Sequence, residues 1–334
     1  MVLAHTAPIE TRPLAWTERP DPVCEPDEVL LEVLACGVCH TELDEIEGRL
    51  PPPSLPVILG HQVVGRIAAT GPKVDRHQVG DRVGVTWLYR SCGACAFCRS
   101  GRENLCPSAL WTGLTADGGY AERMVVGQDW ACPLPEGLSD AEAAPLLCAG
   151  VIGYRTVRLA QVRDGQAVGL FGFGASAHIV LPVLKFQYPA CRVFVFTRSP
   201  SHRSLASRLG ADWVGGSEDT PPEPLDVAMD FTPVGETVAR ALAVSAPGAR
   251  LVINAIRKTT PIGPLDYAEL LWHERQICSV ANVTRADAEE FLPLAGRMGL
   301  RPQVTCFAPE QANEALIALK HGQIDGAAVL RFAP

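Results

Sequence analysis

Four cysteines on one short excursion of chain constrain this sequence most. Cys92, Cys95 and Cys98 follow one another at two-residue intervals, and Cys106 closes the run. Four thiolates at this spacing can complete a tetrahedral metal site with no coordination position left over, which makes such a site structural. It would pin a loop of little regular structure, where folding and metal binding are coupled. The chain carries 12 cysteines in 334 residues. A disulfide framework belongs to short secreted chains, so here the spacing points to metal.

A second set of soft ligands is spread more widely. Cys39 lies in Ala35-Cys36-Gly37-Val38-Cys39-His40-Thr41-Glu42-Leu43, His61 in Leu59-Gly60-His61-Gln62, and Cys148 in Leu146-Leu147-Cys148-Ala149-Gly150. Three such ligands leave one tetrahedral position open, which separates a catalytic zinc site from a structural one. Six cysteines are thereby assigned to metal, and Cys24, Cys36, Cys132, Cys191, Cys278 and Cys306 are expected as core thiols.

The chain changes character near residue 150. Before it, short apolar runs such as Val29–Leu34, Val63–Ala68 and Arg82–Val85 alternate with Gly and Pro, the pattern of a small antiparallel barrel or sandwich. After it, strand-like runs alternate with helical ones. Ala167–Phe171 leads into Gly172-Phe173-Gly174-Ala175-Ser176-Ala177 and then a helical stretch. This is the dinucleotide fingerprint Gly-x-Gly-x-x-Ala, whose glycines let the backbone approach a pyrophosphate held at a helix N-terminus. A net charge of −8 with no offsetting basic cluster excludes a nucleic-acid partner. Apolar runs such as Ile179–Leu184 are too short to span a membrane, and Met1–His5 shows no signal-peptide pattern, so a cytoplasmic protein is expected.

With both cysteine patterns and the fingerprint in this order, the chain resembles the zinc-dependent alcohol dehydrogenases of the medium-chain family over essentially its whole length. The resemblance implies an α/β protein. A GroES-like β-rich catalytic domain, residues 1–150 and 285–334, would hold both zinc sites, and residues 151–284 would form a Rossmann doubly wound parallel-sheet domain. It implies two Zn2+ per chain, a nicotinamide cofactor, a small alcohol or aldehyde substrate and a homo-oligomer, tetramer or dimer. Carried over by position, Cys39, His61 and Cys148 hold the catalytic zinc, which favours the alkoxide form of a bound alcohol. Thr41 passes the proton between substrate oxygen and cofactor ribose, and Asp44 stands where the relay often has His. His40 lies near the pyrophosphate, Glu42 orients His61 through a carboxylate–imidazole hydrogen bond, and Trp87 and Trp111 line the substrate pocket. A polyol dehydrogenase more often has a carboxylate at the third ligand position than a cysteine such as Cys148. A non-catalytic dinucleotide sensor with structural zinc would need no open metal position.

The cofactor follows from charge. An acidic residue at the end of the second Rossmann strand selects NAD by holding the ribose hydroxyls. Here Phe196 is followed by Thr197-Arg198-Ser199, with Arg203 one turn on, and no carboxylate is in that stretch. Arg can pair with a 2′-phosphate at roughly 1.5–3 kcal/mol per charge-assisted hydrogen bond, so NADP(H) is expected over NAD(H). Two other positions depart from the family pattern. Ala327 stands where an Arg often binds pyrophosphate, and Gln62 replaces the Glu usual after the histidine. Two thiolates already neutralise Zn2+, so Gln62 leaves the site without a further negative charge. The substitution Gln62→Glu is therefore expected to alter zinc retention or turnover, and unchanged values of both would show the amide to be without consequence.

Overall fold

The computed structural model describes residues 1–324 and 326–332, and its first unit is built on the strand Glu28–Val38. Val29, Leu31 and Val33 on one face of this strand are at most 2% exposed, the alternation a half-buried strand requires. Its first half pairs with Arg123–Gly127 and its last residues with Ala327–Arg331, while Val63–Thr70 runs antiparallel along most of its other edge. Arg82–Val85 and Ala131–Pro133 extend the sheet beyond Val63–Thr70. Val304–Phe307 lies at the opposite edge, parallel to Ala327–Arg331. The C-terminal segment therefore returns to the first unit, which comprises Met1–Val151 and Asn282–Pro334.

The second unit, Ile152–Ala281, is a six-stranded parallel sheet. Its spatial order is Trp213–Gly215, Arg192–Phe196, Ala167–Phe171, Leu225–Asp230, Ser245–Ile253, Gln276–Ser279. The chain starts in the middle, winds to one side, then returns to wind to the other. The switch point therefore lies between Phe171 and Asp230, which are register partners. In sheets of this kind ligands bind outside the carboxyl ends of the strands at the switch point. All five residues of Ala167–Phe171 are buried, as a strand covered on both faces demands. Phe171 stacks on Phe196 with ring centroids 4.2 Å apart. Both the β-rich part and the doubly wound part of the expected α/β fold are present. Among the described residues no helix is long and apolar enough to cross a membrane.

The spare cysteines divide. Cys36, Cys132 and Cys191 are buried and Cys24 and Cys278 half-buried, but Cys306 is exposed. Cys306 is therefore not the core thiol expected from sequence, because Val304–Phe307 is an edge strand and presents it to solvent.

One close approach links this fold to the second ligand set, at His61. The backbone of residues 118–120 lies against residues 58–60, with Gly118 N–H donating to Ile58 O at 2.7 Å, Gly119 N–H to Gly60 O at 2.9 Å and Tyr120 N–H to Leu59 O at 2.9 Å. A Cβ on Gly118 would stand 2.1 Å from Gly60 O and 2.7 Å from Leu59 O, both rigid backbone atoms. Gly118→Ala is expected to cost about 1–3 kcal/mol by overpacking. It should also displace His61, so denaturant unfolding and metal content should both fall short of wild type.

Candidate functional site

Cys39 ends the strand Glu28–Val38 and caps the helix His40–Ile46. Glu42, at the third position of that helix, is fully buried. One of its oxygens accepts from the Cys39 N–H at 2.8 Å, and the other lies 2.5 Å from His61 Nδ1. A single carboxylate thus satisfies a free helix N-terminal donor and fixes the imidazole. Nε2 of His61 is left buried without a hydrogen-bond partner. The ligand atoms of Cys39, His61 and Cys148 all lie within 4.8 Å of one another. Cys148 arrives from the short turn Ala144–Leu147, just ahead of the helix Ala149–Ala160.

The charges around this trio favour a cation. A hydrogen bond from Cys148, aided by His61, holds the Cys39 thiol well below the ordinary range despite its burial. Burial alone would pull His61 down, but the Glu42 carboxylate and Cys39 outweigh it and hold the imidazole well above its usual value. An orphaned Nε2 facing two sulfurs, with a carboxylate behind the ring, is the donor set of a zinc site with one position open.

Around the trio, Thr41 Oγ1 lies 3.6 Å from Cys39 Sγ. Trp87 packs 5.8 Å from the His61 ring centroid and 5.4 Å from that of Trp111, and its buried indole N–H has no partner. The Gln62 side chain fills the space above Gly37, where a Cβ would meet its Oε1 at 2.5 Å. His40 is exposed. Asp44, placed by sequence in the proton path, is buried and holds the Arg49 guanidinium, while its backbone oxygen accepts from Arg49 and Leu50 at 2.8 Å. Sequence reasoning passed over Glu45 and Tyr120. Glu45 is fully buried with neither oxygen partnered, and burial together with Glu42 pushes its carboxyl well above the usual range. Tyr120 is equally buried, its ring lying where a Cβ on Gly60 would fall. No spacing rule marks either residue.

The four-cysteine loop closes on itself. The sulfurs of Cys92, Cys95, Cys98 and Cys106 all lie within 4.8 Å of one another, with Cys92 3.9 Å and Cys95 3.5 Å from Cys98. A tetrahedron of Zn–S bonds near 2.3 Å has edges of ~3.8 Å, so the cage fits that ion. Backbone N–H groups of Cys95 and Cys98 point at the sulfurs of Cys92 and Cys95, both at 3.4 Å. The backbone N–H groups of Ala94 and Cys95, with the neighbouring thiol of Cys106, bring the Cys92 thiol down to about 6.

In the second unit, a cavity of about 380 Å3 opens at the switch point. Gly172, Gly174, Thr197 and Arg198 line it, but Ala175 and Arg203 are not among its lining residues. Arg203 instead turns back, its Nε donating to Thr197 O at 2.9 Å. Gly172 has φ +82°, a conformation that favours glycine, and a Cβ there would meet Thr232 at 3.0 Å. His202 and Arg240 also line the cavity, as do two carboxylates, Glu218 and Glu236. No acidic group stands at the end of the second strand; these two come from a later turn and from the start of the helix Glu236–Ala243.

The Glu42 bridge yields a direct test. Glu42→Ala removes both the helix cap and the restraint on His61, and is expected to lower metal affinity at this cluster roughly 10–100-fold. The four-cysteine cage should stay loaded, so the variant should hold close to half the wild-type metal by elemental analysis.

Comparison with known proteins agrees with this geometry. Residues 25–136 match the alcohol dehydrogenase GroES-like domain. The chain is 44% identical over 331 residues to a probable alcohol dehydrogenase, AdhA, of Mycobacterium tuberculosis, covering 97% of this chain and 94% of that protein. It is 34% identical to an alcohol dehydrogenase of Geobacillus stearothermophilus, covering 93% of each. Among solved structures, a cinnamyl alcohol dehydrogenase of Sorghum bicolor superposes with a TM-score of 0.83 at 29% identity, covering 94% of this chain and 92% of that one. Similarity of that extent shows that the chain belongs to the zinc-type medium-chain alcohol dehydrogenase family and is an NAD(P)-dependent alcohol dehydrogenase.

Proposed function

We propose that the protein is a cytoplasmic, homo-oligomeric zinc enzyme that interconverts primary alcohols and aldehydes with NADP(H). The observation that carries this reading is the trio of Cys39, His61 and Cys148, with the partnerless Nε2 of His61 facing two sulfurs. Bound there, zinc supplies Lewis acidity that stabilises a developing alkoxide or polarises a carbonyl. The protein's own residues do the rest. Glu42 holds the proton of Nδ1 and keeps the ring turned so that Nε2 would be the nitrogen offered to the metal. Thr41, with its hydroxyl 3.6 Å from Cys39 Sγ, is close enough to the ligand set to hand a proton to or from a substrate oxygen. Trp87 and Trp111 offer an apolar wall beside His61, which excludes water and suits an unbranched or aromatic chain.

Cys92, Cys95, Cys98 and Cys106 are proposed to hold the second, structural zinc. The preference for NADP(H) rests on Arg198, exposed at the cavity rim beyond a strand that ends without a carboxylate. Glu218 and Glu236 lie on the same cavity and weigh toward NAD(H), the alternative reading. The exposed strand Gln276–Ser279 at the end of the parallel sheet, with Trp272 57% exposed just before it, supports a homo-oligomer.

The test is aldehyde-dependent oxidation of NADPH and of NADH by zinc-loaded protein, on short aliphatic and aromatic aldehydes. NADPH should be favoured in kcat/KM, and Arg198→Ala should lower the NADPH value roughly tenfold while leaving NADH nearly unchanged. Preference for NADH would retain the dehydrogenase and discard the role of Arg198. Silence with both cofactors across several aldehydes and alcohols would favour a dinucleotide sensor.

A further inference from the structure

The deepest charge in the second unit lies next to the fingerprint. Asp230 ends the strand Leu225–Asp230 at the switch point and is 0% exposed. A carboxylate so buried requires a partner of opposite charge and a full set of hydrogen bonds. Oδ2 accepts from Lys258 Nζ at 2.5 Å, and Oδ1 accepts from Thr232 N–H at 2.9 Å and Thr232 Oγ1 at 2.7 Å. Lys258 Nζ also donates to Thr232 O at 2.8 Å. The two charged groups thus grip Thr232 by its N–H, hydroxyl and carbonyl together. Thr232 in turn abuts Gly172, its Cγ2 lying 3.0 Å from where a Cβ would stand, and residues 231–234 line the cavity opposite the glycine turn.

The loop that carries Lys258 is strapped down at two further points. Thr259 N–H donates to Pro233 O at 2.6 Å. Thr260 Oγ1 accepts from Gly235 N–H at 2.8 Å and donates to Glu236 at 2.7 Å. The loop after one strand is thereby held against the loop after its neighbour, on the side of the sheet where the cavity opens.

We propose that Lys258 is a positioning residue for the dinucleotide: through Asp230 it fixes Thr232 as the wall that faces the Gly172 turn. The inference rests on the dinucleotide-binding reading of this cavity and extends it to residues that no sequence motif contains. Lys258 touches no reacting atom in this scheme. It acts through the shape of the cavity, so its loss should be felt in cofactor affinity and not in the chemical step.

The experiment uses the zinc-loaded full chain and titrates NADPH and NADH by nicotinamide fluorescence, with steady-state kinetics alongside. Lys258→Met is expected to raise the Kd of the preferred dinucleotide roughly tenfold, a usual size for coupling between a site and a group that shapes it. The KM for aldehyde, kcat at saturating cofactor and zinc content should stay close to wild type. Lys258→Met with Asp230→Asn removes the unpaired charge and should recover most of the lost affinity. Where the single variant does not fold, Lys258→Arg is read instead: a rise of a few-fold in Kd at unchanged kcat is expected, and a wild-type Kd overturns the proposal. A folded Lys258→Met with wild-type Kd overturns the proposal, as does an equal loss in kcat and affinity. Wild-type protein that binds neither dinucleotide would instead overturn the cofactor reading on which it stands.

Discussion

The Glu42 carboxylate is the interaction on which the rest of the metal site depends. It stands at the start of a helix, where free N–H groups favour negative charge, and it is fully buried between the Cys39 N–H and His61 Nδ1. Burial pushes such a carboxyl up, and the facing imidazole draws it back. Its two bonds join a strand end to a loop that follows Glu42 by nineteen positions in the chain. They fix the tautomer of His61 and therefore which nitrogen faces the sulfurs. Without this bridge, three ligand side chains from three separate segments would have no common reference.

The surrounding fold makes the bridge rigid. Residues 118–120 press on Gly60 from one side so closely that only glycine fits at position 118. The four-cysteine loop is tied to the returning C-terminal segment through Glu103. This buried carboxylate accepts from the Arg285 backbone at 2.9 Å, and Arg285 lies 5.0 Å over the Trp130 ring. A loop with little regular structure thus has two anchors, its thiol cage and the first turn of the helix Arg285–Met298. A metal in the cage would stabilise the same segment as the packing of that helix.

Much of this was legible in the sequence because cysteine and glycine carry positional meaning. Thiols at the spacing of Cys92 to Cys106 have few other uses, and Gly172 and Gly174 between a strand and a helix state where a phosphate could approach. Cys39 and Cys148 were set apart from the core thiols by the family resemblance, and the structure brings both together with His61. What escaped was whatever depends on contacts between distant segments. Cys306 reads as a core thiol until its strand is seen to lie at an edge. Glu45 and Tyr120 carry no spacing signal; Glu45 is buried within the helix His40–Ile46, and Tyr120 by the approach of residues 118–120 to residues 58–60. Arg203 reads as a phosphate ligand on helical periodicity, yet its side chain turns back to Thr197 O.

The same limit governs the electrostatics of the cofactor cavity. A linear reading inspects the end of one strand and finds Arg198 without an opposing carboxylate. The folded unit adds Glu218 and Glu236 from two later loops, and it commits Arg240 to the carbonyls of Glu218 and Asp219 at 2.8 and 2.9 Å. Arg198 and His202 therefore share the cavity with two acids. Arg198 sits directly after Thr197 at the end of the second strand, where the adenosine ribose is held in folds of this type. Glu236 begins the helix Glu236–Ala243, and Thr260 already donates to it at 2.7 Å, which satisfies part of its charge. The Thr260 hydroxyl holds this carboxyl below the usual range, so Glu236 remains a charged acid in the cavity. The cavity as a whole is therefore mixed, with Arg198 at the strand end and two carboxylates supplied from later in the chain.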